Sequence, residues 1–446
     1  MTPRPGRLWG GALALALLAG CGGGARLDGS ARAYQAGAPD IAFDAVAAVR
    51  DGSTGVDAVL TVYPASLTYR PARDSLEAVA EWTLRVGGAG RSEFVRGVDT
   101  VRVASAEAAR AAPPHVRTER VEVAPGAYRV EATVTDVGAD RTARRAEAVT
   151  VRPARDRAWL SGPRLVGASG RPLDALRVPA RLDSVRVVVQ AAAPEGSSLA
   201  ASVVRFEADT TVAAPPSGAT TPPTSLAARG VNVGAADTVA AVEQAVPAGV
   251  SAVGVDLPAL APGVYGVRLE LRGAAGQMLA TVSRRVVVRR RDFPLVTRRG
   301  DLIAPLVYLA DAGETEALGR GGQRTFDAFW GAHVDDRGRA AEALRAFYGR
   351  VEEANRLFSN QKAGWATDPG LVYVVFGPPD AVAATATTET WTYRRGETAP
   401  PQVVFDRTAG RAGGGSPFDV LTLRRDRRYE DAWRAARAAW RAGRVP

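Results

Sequence analysis

GWATDPGLVYVVFGPPD, residues 364–380, decides how the C-terminal part of this 446-residue chain is read. In seventeen positions it joins Gly364 and a large aromatic, Trp365, to a turn, a short apolar run and a second turn. Thr367 and Asp368 carry side-chain oxygens that hydrogen-bond nearby backbone. Asp368-Pro369-Gly370 is a strong turn sequence, because proline presets φ and glycine permits φ > 0. Residues 371–376, with Tyr373 at their centre and Phe376 at their end, predict a buried strand. Gly377, Pro378, Pro379 and Asp380 stop it.

Working outward, strands are expected at residues 389–393, 402–406 and 418–423, and a last helix puts Tyr429, Trp433, Ala436 and Trp440 on one face. Upstream, residues 326–330 close a short helical run. Residues 340–358 follow as an amphipathic helix carrying Leu344, Phe347, Tyr348, Val351, Asn355 and Phe358 at helical spacing. Asn355 on that face needs partners for its amide. The expectation for residues 295–446 is an α+β domain.

The motif resembles the signature of the GWxTD-domain family of bacterial envelope proteins. Phe329 and Trp330, the helix end with Tyr348, Arg350, Ala354, Asn355 and Phe358, and Trp391 with Tyr393 carry the same resemblance. After Trp330 the chain reads Gly331-Ala332-His333-Val334-Asp335-Asp336, where the family commonly has an Arg-Asp-Pro-like segment. The resemblance implies an exported or lipid-anchored protein with β-rich modules upstream. It brings no catalytic residues.

Residues 40–290 show alternating β-rich runs separated by turn residues. Within them the segments 124–152 and 261–289 align over 29 residues without a gap. Both share Ala-Pro-Gly-x-Tyr-x-Val at the start and Val-x-Val-Arg at the end. Each reads as a terminal hairpin, with Tyr128 or Tyr265 turned inward, in an immunoglobulin-like or fibronectin-like sandwich. The expected fold is multidomain: two all-β immunoglobulin-like sandwiches at 40–153 and 158–291, then the α+β GWxTD domain. The Pro-rich tract 214–223 reads as a long loop inside the second module, either a tolerated insertion or a partner contact.

The first twenty residues read as a secretory signal, with Arg4 and Arg7 before an apolar core at 8–18. Leu18-Ala19-Gly20-Cys21 looks like a lipobox, and Cys21 is the only cysteine. Its thiol is expected to carry a covalent diacylglycerol, with residues 21–39 as a flexible tether. Gly22 follows Cys21 where an acidic retention residue would stand, which favours the outer membrane. A single cysteine excludes an internal disulfide, and two histidines, His115 and His333, exclude a His-rich metal site.

The net charge is +10, yet Lys362 is the only lysine, so 56 of the 57 basic residues are arginines. That composition reads as codon bias with a mixed, solvated surface, and export argues against a nucleic-acid partner. Seven arginines crowd residues 284–299. They read as a solvated linker or as a patch for phosphate-bearing lipid or glycan.

Asp368 and Asp380 are candidate paired carboxylates, but a six-residue strand would hold them about 17–20 Å apart. Turn capping is the simpler role. Trp365, Trp391 and Tyr393 form either a platform for a glycan or peptide, or part of the core. No nucleophile elbow, phosphate loop or dinucleotide fingerprint is present. The expected function is a lipid-anchored envelope protein binding an envelope protein or glycan, with no cofactor. The alternative is a hydrolase or transferase with a site around Trp365, Asp368, Asp380 and His333.

Overall fold

The computed structural model describes residues 37–88, 90–153, 158–180, 182, 184–216, 235–331, 337–385, 387–394, 398–408 and 420–446. Cys21, the leader, most of the tether, His333 and residues 217–223 of the Pro-rich tract lie outside them. The chain is mostly β-sheet, in several sheets, with a helical C-terminal region.

The first β region contains β1 (Ile41–Arg50), β2 (Ser53–Val62), β3 (Arg70–Ala72), β4 (Ser75–Gly88) and β5 (Arg91–Val103). A short helix, α1 (Ala106–Ala111), leads to β6 (His115–Glu122), β7 (Gly126–Asp136) and β8 (Arg141–Val151). One sheet is ordered β1-β2-β6, and the other places β5 on β4, followed by β7 and β8. Alternating burial explains the layering. Ile41, Leu60 and Val62 of the first sheet meet Trp82, Leu84 and Val134 of the second in one core.

The second region repeats this plan with β9 (Trp159–Leu160), β10 (Arg164–Gly167), β11 (Val178–Pro179), β12 (Val185–Ala193), β13 (Ser198–Phe206), β14 (Ala235–Ala245), β15 (Gly249–Leu257), β16 (Gly263–Arg272) and β17 (Met278–Arg289). Its sheets are β10-β12-β15 and β14-β13-β16-β17, the latter extended by β11. The seven long strands of each region therefore pair in one order: first, second and fifth in one sheet; fourth, third, sixth and seventh in the other. The sequence repeat is the hairpin of the sixth and seventh strands. Tyr128 pairs with Val149 and Tyr265 with Val286. Each tyrosine hydroxyl donates to the alanine carbonyl four residues upstream, Ala124 or Ala261, at 2.8 Å. Tyr265 is buried, whereas Tyr128 stays half-exposed.

The C-terminal region runs α2 (Arg299–Ile303), α3 (Ala312–Arg320), α4 (Gln323–Gly331), α5 (Arg337–Phe358), α6 (Asp368–Phe376), β18 (Ala381–Ala384), β19 (Thr388–Thr392), β20 (Gln402–Thr408), β21 (Val420–Leu423) and α7 (Glu430–Arg441). Its strands form one antiparallel sheet in sequence order. No helix among the described residues is long and apolar enough to cross a membrane.

Here one expectation fails. Residues 371–376 are helical, not a strand, as part of α6. All nine residues of α6 are buried, so no polar face interrupts the run and no helical period is visible. Val372, Val374 and Val375 then mimic a strand, because β-branched residues favour strands. Asp368-Pro369-Gly370 is accordingly the first turn of a helix, where a proline N–H would have no acceptor in any case.

Buried polar contacts join the three regions. The Gln190 amide of β12 donates to the Val49 carbonyl at 2.8 Å and accepts from the Val49 N–H at 2.7 Å, so it satisfies the edge of β1. Arg284 of β17 reaches Asp44 of β1 at 2.9 Å. Asp40 takes Arg177 of the second region at 2.6 Å and Arg356 of α5 at 2.9 Å. The Arg177 guanidinium also lies 4.2 Å from the Tyr63 ring centre, and the Tyr63 hydroxyl donates to Asp174 at 2.6 Å.

Candidate functional site

The motif begins where α5 ends. Gly364 lies against the α5 backbone so closely that a Cβ would sit 2.0 Å from the Ala354 carbonyl oxygen. A Cβ on Gly370 would sit 1.8 Å from the Gly364 carbonyl oxygen. Neither contact admits any side chain, so these glycines are required by close approach. Residues 364–366 make one 3-10 turn, and Thr367 then caps α6. Its hydroxyl donates to the Gly364 carbonyl at 2.6 Å and accepts from the Gly370 N–H at 3.1 Å.

Asp368 points into the interior. Its carboxylate accepts from the Leu423 N–H of β21 at 2.7 Å and from Arg425 at 2.7 and 3.2 Å. Arg425 reaches on to the Ala214 carbonyl at 3.2 Å. Residues 207–216 leave β13 and cross to the motif as an extended strap. The Ala213 N–H donates to the Ala366 carbonyl, and the Asp209 N–H to the Gln361 carbonyl, each at 3.0 Å. Ala213 is buried in the core of the C-terminal region. Asp209 also sits 3.7 Å from the Lys362 ammonium, with both side chains buried. The described part of the predicted loop, residues 214–216, is held by Arg425 and by the Asp426 N–H, which donates to the Pro216 carbonyl at 3.1 Å.

Trp365 is buried with its ring edge-on to Tyr308 at 5.7 Å. Its N–H donates to Asn355 Oδ1 at 3.3 Å, and its carbonyl accepts from the Tyr308 hydroxyl at 2.9 Å. Burial pushes the Tyr308 hydroxyl well above its usual range, and the Asp368 carboxylate adds to that.

Residues 275–442 match the family model of the GWxTD domain. The C-terminal region is a GWxTD domain. Its matched span opens in the turn between β16 and β17, so the strap that completes its core lies outside it. No curated protein matches the chain. Among solved structures, a transglutaminase from red sea bream is 11% identical, covering 57% of this chain and 31% of its own, at a TM-score of 0.19. The C-terminal domain of the antigen I/II-family protein AspA from Streptococcus pyogenes is 10% identical, covering 55% of this chain and 99% of its own, at 0.16. Neither likeness bears on the argument at those scores.

The remaining motif residues of the GWxTD domain hold its interior. Tyr373 and Phe376 are buried on α6, and Gly377 ends that helix at φ 86°. Pro379 is buried and Pro378 half-buried. Asp380 is exposed and accepts from the Arg394 N–H at 2.7 Å. A nine-residue helix at about 1.5 Å per residue separates it from Asp368, and the two carboxylates share no partner. Arg350 donates to the Val374 and Val375 carbonyls at 3.3 Å, where α6 has unsatisfied acceptors. The Tyr348 hydroxyl donates to the Leu302 carbonyl at 2.6 Å, and Trp330 stacks edge-on to Phe347 at 5.5 Å.

Trp391 and Tyr393 belong to the core rather than to an exposed platform. Trp391 packs on Phe405 and Phe358, and the Tyr393 hydroxyl donates to the Gly377 carbonyl at 3.1 Å. Sequence reading missed the partner of Trp391. Its indole N–H donates to Glu389 at 2.8 Å, and Glu389, fully buried, also takes Arg407 at 2.6 Å. The alternation of β19 carried that signal, since it puts Glu389 on the same face as Trp391. Among the described residues no group of three or more His, Cys, Asp or Glu side chains could hold a metal ion.

A cleft of about 270 Å³ lies beside the motif, between the second β region and the GWxTD domain. Phe206 and Val264 form one wall, Asn355 and Trp365 the other, with Phe293 and Pro294 of the linker between them. Asp368 and Asp380 do not line it.

Proposed function

We propose that this chain is a lipid-anchored protein of the bacterial cell envelope, held at the outer membrane through acyl groups on Cys21. In this reading two immunoglobulin-like sandwiches carry a GWxTD domain that binds an envelope protein or glycan and catalyses no reaction. The shared strand order of the two β regions supports the immunoglobulin-like part, as do the matching hydroxyl contacts of Tyr128 and Tyr265. The observation that carries the non-catalytic part is the use of the motif's polar groups. Thr367 caps a helix, and Asp368 is consumed by Arg425 and the Leu423 N–H. A hydrolase or transferase reading finds less support, because Asp368 and Asp380 lie apart and outside the cleft.

Metabolic labelling with an acyl-chain analogue tests the anchor. Label on wild type and none on Cys21→Ser is expected, and equal labelling would sink the anchored reading. Cross-linking from exposed Asp380 in intact cells then identifies what the GWxTD domain meets.

A further inference from the structure

Of the seven arginines at residues 284–299, four are spent inside the protein. Arg284 holds Asp44, and Arg285 is buried. Arg289 donates to the Ser359 carbonyl at 3.3 Å, and Arg290 takes Asp292 at 3.0 Å and Asp301 at 2.9 Å. Arg291, Arg298 and Arg299 are exposed, and their side chains make no hydrogen bond or ion pair among the described residues.

The loop that carries these three is compact. Thr297 donates to Asp292 at 2.5 Å, the Leu295 N–H donates to the Asp292 carbonyl at 2.7 Å, and Arg290 pairs with Asp301 across the loop. Leu295, at the loop's centre, is 51% exposed. From residue 289 to 301 five arginines face two aspartates, a surplus of three positive charges.

The position of this loop is fixed by α5. The Val296 N–H donates to Glu352 at 3.0 Å, and Arg356 takes Asp40 at 2.9 Å. Glu352 and Arg356 are one helical turn apart on one face, about 6 Å between them. Asp40 is therefore tied through α5 to the arginine loop.

We propose that residues 291–299 form a membrane-docking loop that rests on anionic phospholipid headgroups, with Leu295 entering the interface. The inference builds on the anchored reading above, in which acyl groups on Cys21 hold the chain at a membrane. Three unspent guanidiniums within nine residues, with one exposed leucine between them in the chain, match that surface, since arginine stems lie along apolar surface while their heads reach phosphate. Each cation near such a surface strengthens binding about fivefold, so three are expected to give on the order of a hundredfold.

The test is co-sedimentation of the full chain with vesicles of phosphatidylcholine alone, or of phosphatidylcholine with phosphatidylglycerol. The readout is the ratio of binding to the two, which needs no acyl group and so fails independently of the Cys21 labelling. Arg291→Gln/Arg298→Gln/Arg299→Gln is expected to lower the ratio by about a hundredfold. The equally charged control Arg91→Gln/Arg96→Gln/Arg110→Gln, at exposed sites of the first β region, is expected to stay within about twofold of wild type. A wild-type ratio in the first variant, or an equal loss in the control, overturns the docking loop. Leu295→Asp, on an exposed side chain, is expected to weaken binding to both vesicles, and unchanged binding counts equally against it.

Discussion

At the scale of single residues, the motif is a set of fits with no tolerance. Gly364 and Gly370 admit no Cβ, because carbonyl oxygens stand at 2.0 and 1.8 Å from where it would be. Gly364→Ala and Gly370→Ala are each expected to destabilise the protein by about 3 kcal/mol or more, read by chemical denaturation. Asp368 is different in kind. Its side chain and that of Arg425 are 8% and 5% exposed, so removing one leaves the other charge buried. Asp368→Ala is expected to cost about 3–5 kcal/mol, and Asp368→Leu with Arg425→Met to recover most of it. A single substitution costing under about 1 kcal/mol would show that solvent reaches Arg425.

At the scale of elements, the strap 207–216 is the least expected part of the molecule. It leaves a β-sheet and fills the core of the next domain, placing Ala213 in that core and Asp209 against Lys362. Ala213→Arg is expected to lift the strap, detected as new protease cleavage between residues 207 and 216. Lys362 is the one lysine among 57 basic residues. Its compact ammonium fits a buried site where a planar guanidinium does not, so Lys362→Arg is expected to cost about 1–3 kcal/mol in a melting experiment. An unchanged melting temperature would count against that tight fit.

At the scale of the whole molecule, Asp40 is the joint of all three regions. Asp40→Ala leaves Arg177 and Arg356 without their shared carboxylate and is expected to expose the junctions to limited proteolysis before the sheets unfold. The same joint responds to alkali. Burial, and then the Asp174 carboxylate, hold the Tyr63 hydroxyl far above its ordinary value of 10.0. The unfolded chain gives up that proton near 10.0, whereas the folded chain keeps it. The stabilisation is therefore fully present below pH 10 and is lost as pH rises towards the folded value. Tyr63→Phe is expected to reduce the fall in melting temperature above pH 10, and an identical alkaline profile would show that other tyrosines govern it.

Local signals were enough for much of this protein. Alternation and turn residues predicted the β regions, and an ungapped repeat marked the same hairpin in each, because period-two burial leaves its trace in the sequence wherever one face is wet. The amphipathic α5 and α7 were legible for the matching reason at helical period. The motif identified the GWxTD domain, since its glycines and threonine answer to contacts within a few residues. Tertiary structure decided the rest. The buried α6 has no wet face, so its period was invisible and its valines pointed to a strand. The strap, the Glu389–Arg407 pair and the Asp40 joint link residues far apart in the chain, and no short-range pattern records which distant partner satisfies a buried charge.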